Sequence, residues 1–321
     1  MNFHTLNIIW QNMTSPKRRM PKMPWDGQEL LHIPYAAMSP SQYLDLYLPN
    51  TPGKKPLLVL VHGGGFLYGD SQTRQVEWMY RHFRQQGYAC ASINYRLAQE
   101  APWPAAIEDV KAAVRFLRAN AVRFDIDADR FALWGESAGG YLAAMAAVTD
   151  DDTFVGVPYV HQGNAETSSK VQVLVDFYGL ADLGDKNDDF RQMGIPRWVV
   201  RWANSWLNAP ELKASGFTRV EDYFIRKQFS TLSAAEASAY TPISYMKQLD
   251  KDSLKVILVH GEADITVPVQ QTRKKEAAFA ARLGRENVFA LYPRLCKHAD
   301  DRLYEDSFLT VVREKLDYFL R

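Results

Sequence analysis

The stretch RFALWGESAGGYLAAMAAV, residues 130–148, decides the fold. A short apolar run of strand character, Arg130 to Trp134, passes into Gly135-Glu136-Ser137-Ala138-Gly139 and directly on into the helical run Tyr141 to Val148. A residue at so abrupt a strand-to-helix turn takes a strained backbone, and small neighbours let the helix pass close to the strand. The pattern predicts Ser137 exposed at a strand end. Behind it, the unpaired N–H groups and positive dipole end of the helix suit a developing negative charge.

Outward from this turn, β-branched and aromatic runs alternate with helical periodicities, as parallel strands joined by crossover helices do. Strands are expected at Leu44 to Leu48, Leu57 to Val61, Ala89 to Tyr95, Val171 to Phe177, Val256 to Val259 and Val288 to Tyr292. LLVLV and VILV are apolar at successive positions, which predicts a sheet covered on both faces. Helix stripes follow from Val76, Met79 and Phe83, from Ile107, Val110, Val114 and Leu117, and from Phe308, Val312, Leu316 and Phe319. The expected class is α/β, a mostly parallel central sheet flanked by helices. Residues 1–42 show no clear period and are expected as an N-terminal arm or as part of a cap, with the α/β domain over 43–321. Within it, residues from about 184 to 245 form a cap-like insertion longer than an ordinary crossover. Trp198, Trp202 and Trp206 recur at i, i+4 and i+8 there; the indoles either pack the cap onto the domain or line an apolar pocket.

The second motif is His62-Gly63-Gly64-Gly65-Phe66, again just after an apolar strand. Successive glycines cost backbone entropy, so the main chain is expected to approach something closely. The N–H groups of Gly64 and Gly65, with that of Ala138, are candidates to meet an oxyanion. A serine nucleophile needs a base, and the base needs an acid to orient it. Of the seven histidines only His161, His260 and His298 follow Ser137. His161 reads as polar loop and His260 as the end of a strand, so His298 is the base. Asp264, in the loop after His260, is the acid, with Glu262 the alternative. His62 is read as a brace for its loop, and Phe66, Glu136, Trp198 and Trp202 as candidates for a substrate pocket.

Other chemistries lack support. Asp125, Asp127, Asp129 and Glu136 imitate the spacing of a calcium loop, but Arg130 occupies the glycine position and begins a strand. No HExxH, CxxC, Walker or dinucleotide fingerprint is present, so neither metal nor cofactor is expected. Asp70 and Asp109 are read as structural. With 38 basic and 37 acidic residues the net charge is +1, which argues against a nucleic-acid partner. No apolar run reaches the ~18 residues of a membrane helix, and the N-terminus has no signal-like apolar core, so a cytoplasmic protein is expected. Cys90 and Cys296 are read as apolar thiols; whether they pair, and whether copies of the chain associate, is open.

In this order HGGGF, GESAGG, HGEADITVP and His298 resemble the α/β-hydrolase superfamily, in its HGGG-type branch related to hormone-sensitive lipase. LDLYLP, GGGFLYGD, NYRLAQEAPWPAAIEDVKAAVRFLRANA and DFYGLADL are similar to the bifunctional feruloyl and acetyl-xylan esterase-like group. The resemblance runs from about Tyr43 to Arg321. It implies an α/β-hydrolase fold and ester hydrolysis through an acyl-enzyme, with Ser137, Asp264 and His298 as triad and Gly64, Gly65 and Ala138 as oxyanion donors. The implied substrates are small esters, including acetylated or feruloylated oligosaccharides. Two other readings remain: an arylformamidase-like amide hydrolase, and a non-catalytic binding protein on the same fold.

Overall fold

The computed structural model describes residues 8, 12, 27–154, 163–184, 186–205 and 210–321. Eight strands form one sheet: β1 (Gly27–Pro34), β2 (Tyr43–Pro49), β3 (Lys55–Val61), β4 (Ala89–Ile93), β5 (Ile126–Glu136), β6 (Val173–Phe177), β7 (Lys255–Val259) and β8 (Val288–Leu291). Their order across the sheet is β1-β2-β4-β3-β5-β6-β7-β8. Strands β4 to β8 run parallel with β3, while β2 pairs antiparallel with β1 and β4. The chain leaves β3 for β4 on one side and returns to β5 on the other. Crevices at such reversals, outside the carboxyl ends of the strands, are where α/β sheets bind ligands.

Alternate residues of each inner strand enter opposite cores, which explains why those strands read as unbroken apolar runs. From β3, Leu57, Val59 and Val61 join one cluster and Leu58 and Leu60 the other. From β7, Val256 and Leu258 go one way and Ile257 and Val259 the other. The first face is covered by α2 (Ala105–Ala119), α3 (Ala138–Val148) and α4 (Gln270–Leu283), the second by α1 (Arg74–Arg84) and α5 (Asp306–Phe319). The expected stripes point inward, save that Phe308 is only half-buried and Leu309 takes the deeper position.

The structure departs from the sequence reading in two elements. Residues 27–34, assigned to an arm, form the edge strand β1 on β2. Most of its side chains are exposed, so it lacks the apolar alternation of a half-buried strand. Helix α4 had no apolar stripe because it docks largely through polar groups: Gln271, Thr272 and Lys275 are buried with Phe279 and Leu283. Lys275 pairs with the buried Asp176 and donates to the Gly179 carbonyl at 2.9 Å.

The acidic near misses are engaged in ordinary contacts. Asp127 pairs with Arg130 at 2.9 Å and Asp125 with Lys55 at 2.5 Å. Asp109 is fully buried and accepts from Arg96 and Gln42, while Asp70 accepts from the Gln72 N–H. Cys90 and Cys296 are buried free thiols.

The insertion between β6 and β7 contains short helices at Asn187–Gln192, Arg197–Ala203, Pro210–Ala214, Val220–Ile225, Ala234–Ser238 and Pro242–Tyr245. Its later part docks firmly on the domain. Phe224 stacks on Phe66 with ring centroids 4.1 Å apart, and Tyr141 donates to the Tyr240 carbonyl at 2.9 Å.

At the β5–α3 junction a Cβ on Gly135 would lie 2.1 Å from the Gly139 carbonyl oxygen, and one on Gly139 would lie 2.2 Å from that of Val61. Backbone atoms cannot yield there as a side chain could. Gly135→Ala is therefore expected to destabilise the protein by about 1–3 kcal/mol, seen as a lower denaturation midpoint. An unchanged midpoint would contradict this close approach.

Candidate active site

Ser137 follows β5 and precedes α3 with φ 53° and ψ −118°, a left-handed backbone that a non-glycine residue seldom adopts. Its N–H donates to Phe177 O at 2.9 Å, and its own carbonyl accepts from Tyr141 N at 3.1 Å, so strand and helix both hold the bend. The loop after β3 lies against it: a Cβ on Gly63 would come 3.2 Å from Ser137 Cβ. Gly64 has φ +118°, and a Cβ there would strike the Tyr68 carbonyl at 1.9 Å, so only glycine fits. Gly64 and Gly65 lie outside helix and strand, and their N–H groups donate to no acceptor among the described residues. Ala138 is the first residue of α3, where a helix N–H has no partner one turn earlier.

The loops after β7 and β8 bring the other two groups. His298 Nε2 lies 3.0 Å from Ser137 Oγ, and His298 Nδ1 lies 2.7 Å from Asp264 Oδ2. The carboxylate fixes the proton on Nδ1 and leaves the Nε2 lone pair facing the hydroxyl. Asp264 is fully buried, with Oδ1 accepting the N–H groups of Thr266 at 2.8 Å and Val267 at 2.9 Å. Burial alone would raise its pKa; the electrostatic interaction with His298 and the hydrogen bonds from His260 and His298 outweigh that and hold it well below the usual carboxylate range.

His260 is the brace of this loop. Its Nε2 faces two acceptors, Val267 O at 2.9 Å and Asp264 Oδ2 at 3.2 Å, so the proton resides there and Nδ1 accepts from the Thr272 hydroxyl at 2.6 Å. Glu262 is outside the cluster, paired with Arg273 at 2.7 Å. His161 lies outside the described residues. His62 is buried, with Nδ1 2.7 Å from Gly63 O and its ring stacked on Tyr95 at 4.3 Å.

The sequence reading missed two tyrosines. Tyr304 donates to Glu136 Oε1 at 2.8 Å and shares a short hydrogen bond with Tyr178. The Tyr178 ring meets the His298 imidazole edge-on, 4.8 Å between centroids. Glu136 was expected in the pocket but is buried behind it, because the residue before Ser137 still belongs to β5 and faces the packed side. An acidic residue at that position of the motif was the one sequence signal that buried donors had to exist nearby.

A cavity of about 900 Å³ opens above Ser137 and is lined also by Gly65, Phe66, Ala138 and Leu180. Trp198 and Trp202 do not line it. They share a helix face as their spacing predicts, but that face is 63% and 53% exposed, because Val199 is the residue buried against Phe190 and Ile265 while Arg197, Val200 and Arg201 face the cavity. Trp206 lies outside the described residues. Two described residues near the N-terminus meet the loop that carries Asp264: Ile8 is buried in that same small cluster, and Asn12 Nδ2 donates to Ala263 O at 2.8 Å. No helix among the described residues is long and apolar enough to cross a membrane.

Two proteins of Mycobacterium tuberculosis, the probable carboxylic ester hydrolase LipM and the esterase LipQ, are each 28% identical to this chain over 244 and 249 residues. Those regions are 75% and 77% of this chain but 49% and 51% of the relatives, so the chain spans about half the length of the curated relatives it matches. A truncated carbohydrate esterase from gut microbiota has a TM-score of 0.72 at 23% identity, covering 91% of this chain and 96% of that one. An esterase, Est2, of Thermogutta terrifontis has a TM-score of 0.63 at 19% identity, covering 89% and 90%. At these identities the structural likeness speaks for the fold, which is the α/β-hydrolase fold. The BD-FAE family matches residues 44–279, well over half of the sequence, and the chain belongs to that family.

Proposed function

We propose that the protein is a serine carboxylic ester hydrolase working through an acyl-enzyme. The observation that supports this most strongly is the unbroken chain of contacts from Ser137 Oγ to His298 at 3.0 Å and from His298 to the buried Asp264 at 2.7 Å, at the base of an open cavity. His298 takes the proton as Ser137 Oγ attacks the ester carbonyl. The imidazolium that forms is stabilised by Asp264, which stays ionised throughout. The N–H groups of Gly64, Gly65 and Ala138 receive the oxyanion. His298 then protonates the departing alcohol, and a water activated by the same Nε2 releases the acid.

Small acyl esters of oligosaccharides, acetyl or feruloyl, are the proposed substrates. The family match supports this, and a cavity of about 900 Å³ has room for a sugar ring as well as an acyl group. The relatives named above are ester hydrolases, which favours esters over formamides. Ser137→Ala should keep the fold and abolish turnover of p-nitrophenyl acetate. Asp264→Asn should lower kcat by about 10⁴ through the wrong imidazole tautomer. Full activity in either variant would exclude this triad.

Glu136 gives the same site a pH-dependent stability. Burial pushes its carboxyl up to about 7, against the opposing hydrogen bonds from Tyr304 and Tyr178. Below that value the folded chain holds a proton that the unfolded chain releases above the ordinary carboxylate range. Stability contributed by Glu136 therefore falls as pH rises through this window. His62 acts in the opposite sense: burial lowers its imidazole to about 4, so the unfolded chain binds the extra proton and stability rises towards the ordinary histidine value. Asp264 titrates below the window and adds no slope there. Comparison with Glu136→Gln isolates the first effect. Between about pH 5 and about pH 7 the variant should gain stability on the wild type by on the order of 1 kcal/mol per pH unit. Parallel pH profiles of thermal unfolding would contradict a buried, proton-holding Glu136.

A further inference from the structure

The outer wall of the cavity is built by the insertion, and its charge is one-sided. Among the described lining residues Lys186, Arg197, Arg201, Lys213 and Arg219 are basic, and Glu221 alone is acidic. Glu221 is already neutralised. It forms an ion pair with Lys186 and another with Arg219 at 3.6 Å. Arg219 is fixed further by Asp222 at 3.3 Å and by the carbonyls of Leu183 and Gly184, both at 2.7 Å.

The remaining cations, Arg197, Arg201 and Lys213, have no hydrogen bond or ion pair with any described residue, and all three are exposed at the cavity. Arg197 and Arg201 are one turn apart on the same short helix. Like charges at that spacing repel and weaken a helix, so the pair does not serve local stability. Nor does it reflect a basic protein, since the net charge of the whole chain is +1. A cleft lined by one sign of charge over low-dielectric walls focuses its field on incoming ligand. Guanidinium groups also match the planar oxygens of a carboxylate in paired hydrogen bonds.

We propose that the cavity selects esters bearing a second, negatively charged carboxylate, held by Arg197, Arg201 and Lys213 while the ester carbonyl meets Ser137. This rests on the reading of Ser137 as the nucleophile and goes beyond the acetyl and feruloyl esters proposed above: half-esters of dicarboxylic acids if the charge is on the acyl side, esters of acidic alcohols or sugar acids if it is on the leaving side.

The test is kcat/KM on two matched pairs. Mono-p-nitrophenyl succinate against p-nitrophenyl butyrate places the charge on the acyl group. Para-acetoxyphenylacetate against phenyl acetate places it on the leaving group. In at least one pair the anionic ester should be preferred by about tenfold or more at low salt. Near 1 M salt, where the screening length shrinks to about 3 Å, that ratio should contract. In Arg197→Glu/Arg201→Glu it should fall below one, with Arg197→Gln/Arg201→Gln between. Because each ratio is internal to one enzyme preparation, a general loss of activity cancels. Turnover of the neutral esters with no anionic preference in either pair, or a preference the substitutions do not move, would overturn the inference while leaving the hydrolase reading intact. Failure to turn over any of the four esters would overturn both.

Discussion

One backbone bend organises the molecule. Ser137 is held at φ 53° and ψ −118°, a conformation that costs on the order of 1–3 kcal/mol and persists only where its surroundings over-determine it. Here β5, in the middle of the sheet, enters the bend and α3 leaves it. The bend is pinned by the bond to Phe177 O and by contacts too close for any Cβ at Gly135 or Gly139. Because the neighbouring strands run parallel, the loops after β3, β7 and β8 emerge on the same side and bring glycine N–H groups, a carboxylate and an imidazole to the hydroxyl.

Two carboxylates are buried around the site, Asp264 against the imidazole and Glu136 two tyrosines away from it, and their environments push their pKa values apart. Asp264 receives two backbone N–H groups and two imidazole contacts, and stays charged. Glu136 is hydrogen-bonded by tyrosine hydroxyls, with no cation among its described partners, and burial raises its pKa. Divergent environments of this kind assign separate roles to chemically similar groups. The first holds the His298 ring through Nδ1; the second joins β5 to Tyr304 and, through Tyr178, to His298.

The parts legible in the sequence were those with a local signature. Strands buried on both faces read as LLVLV and VILV, the motif around Ser137 carried its own strand and helix, and chain order pointed to Asp264 and His298; the fold brings His298 within hydrogen-bonding distance of both Asp264 and Ser137. What stayed hidden depends on partners distant in the chain. Strand β1 is recognisable only from its pairing with β2. Helix α4 docks by Lys275 on Asp176 and Thr272 on His260, which no apolar period announces. Spacing placed Trp198 and Trp202 on one face but not which way that face turned; Val199, buried against a cluster that includes Ile8 from the other end of the chain, settled it.

The most direct test of the account is the site of covalent modification. After incubation with a fluorophosphonate, intact-mass measurement and peptide mapping should show a single adduct on Ser137, formed more slowly in His298→Ala. An adduct on another residue, or no adduct in a preparation that still hydrolyses esters, would contradict the account.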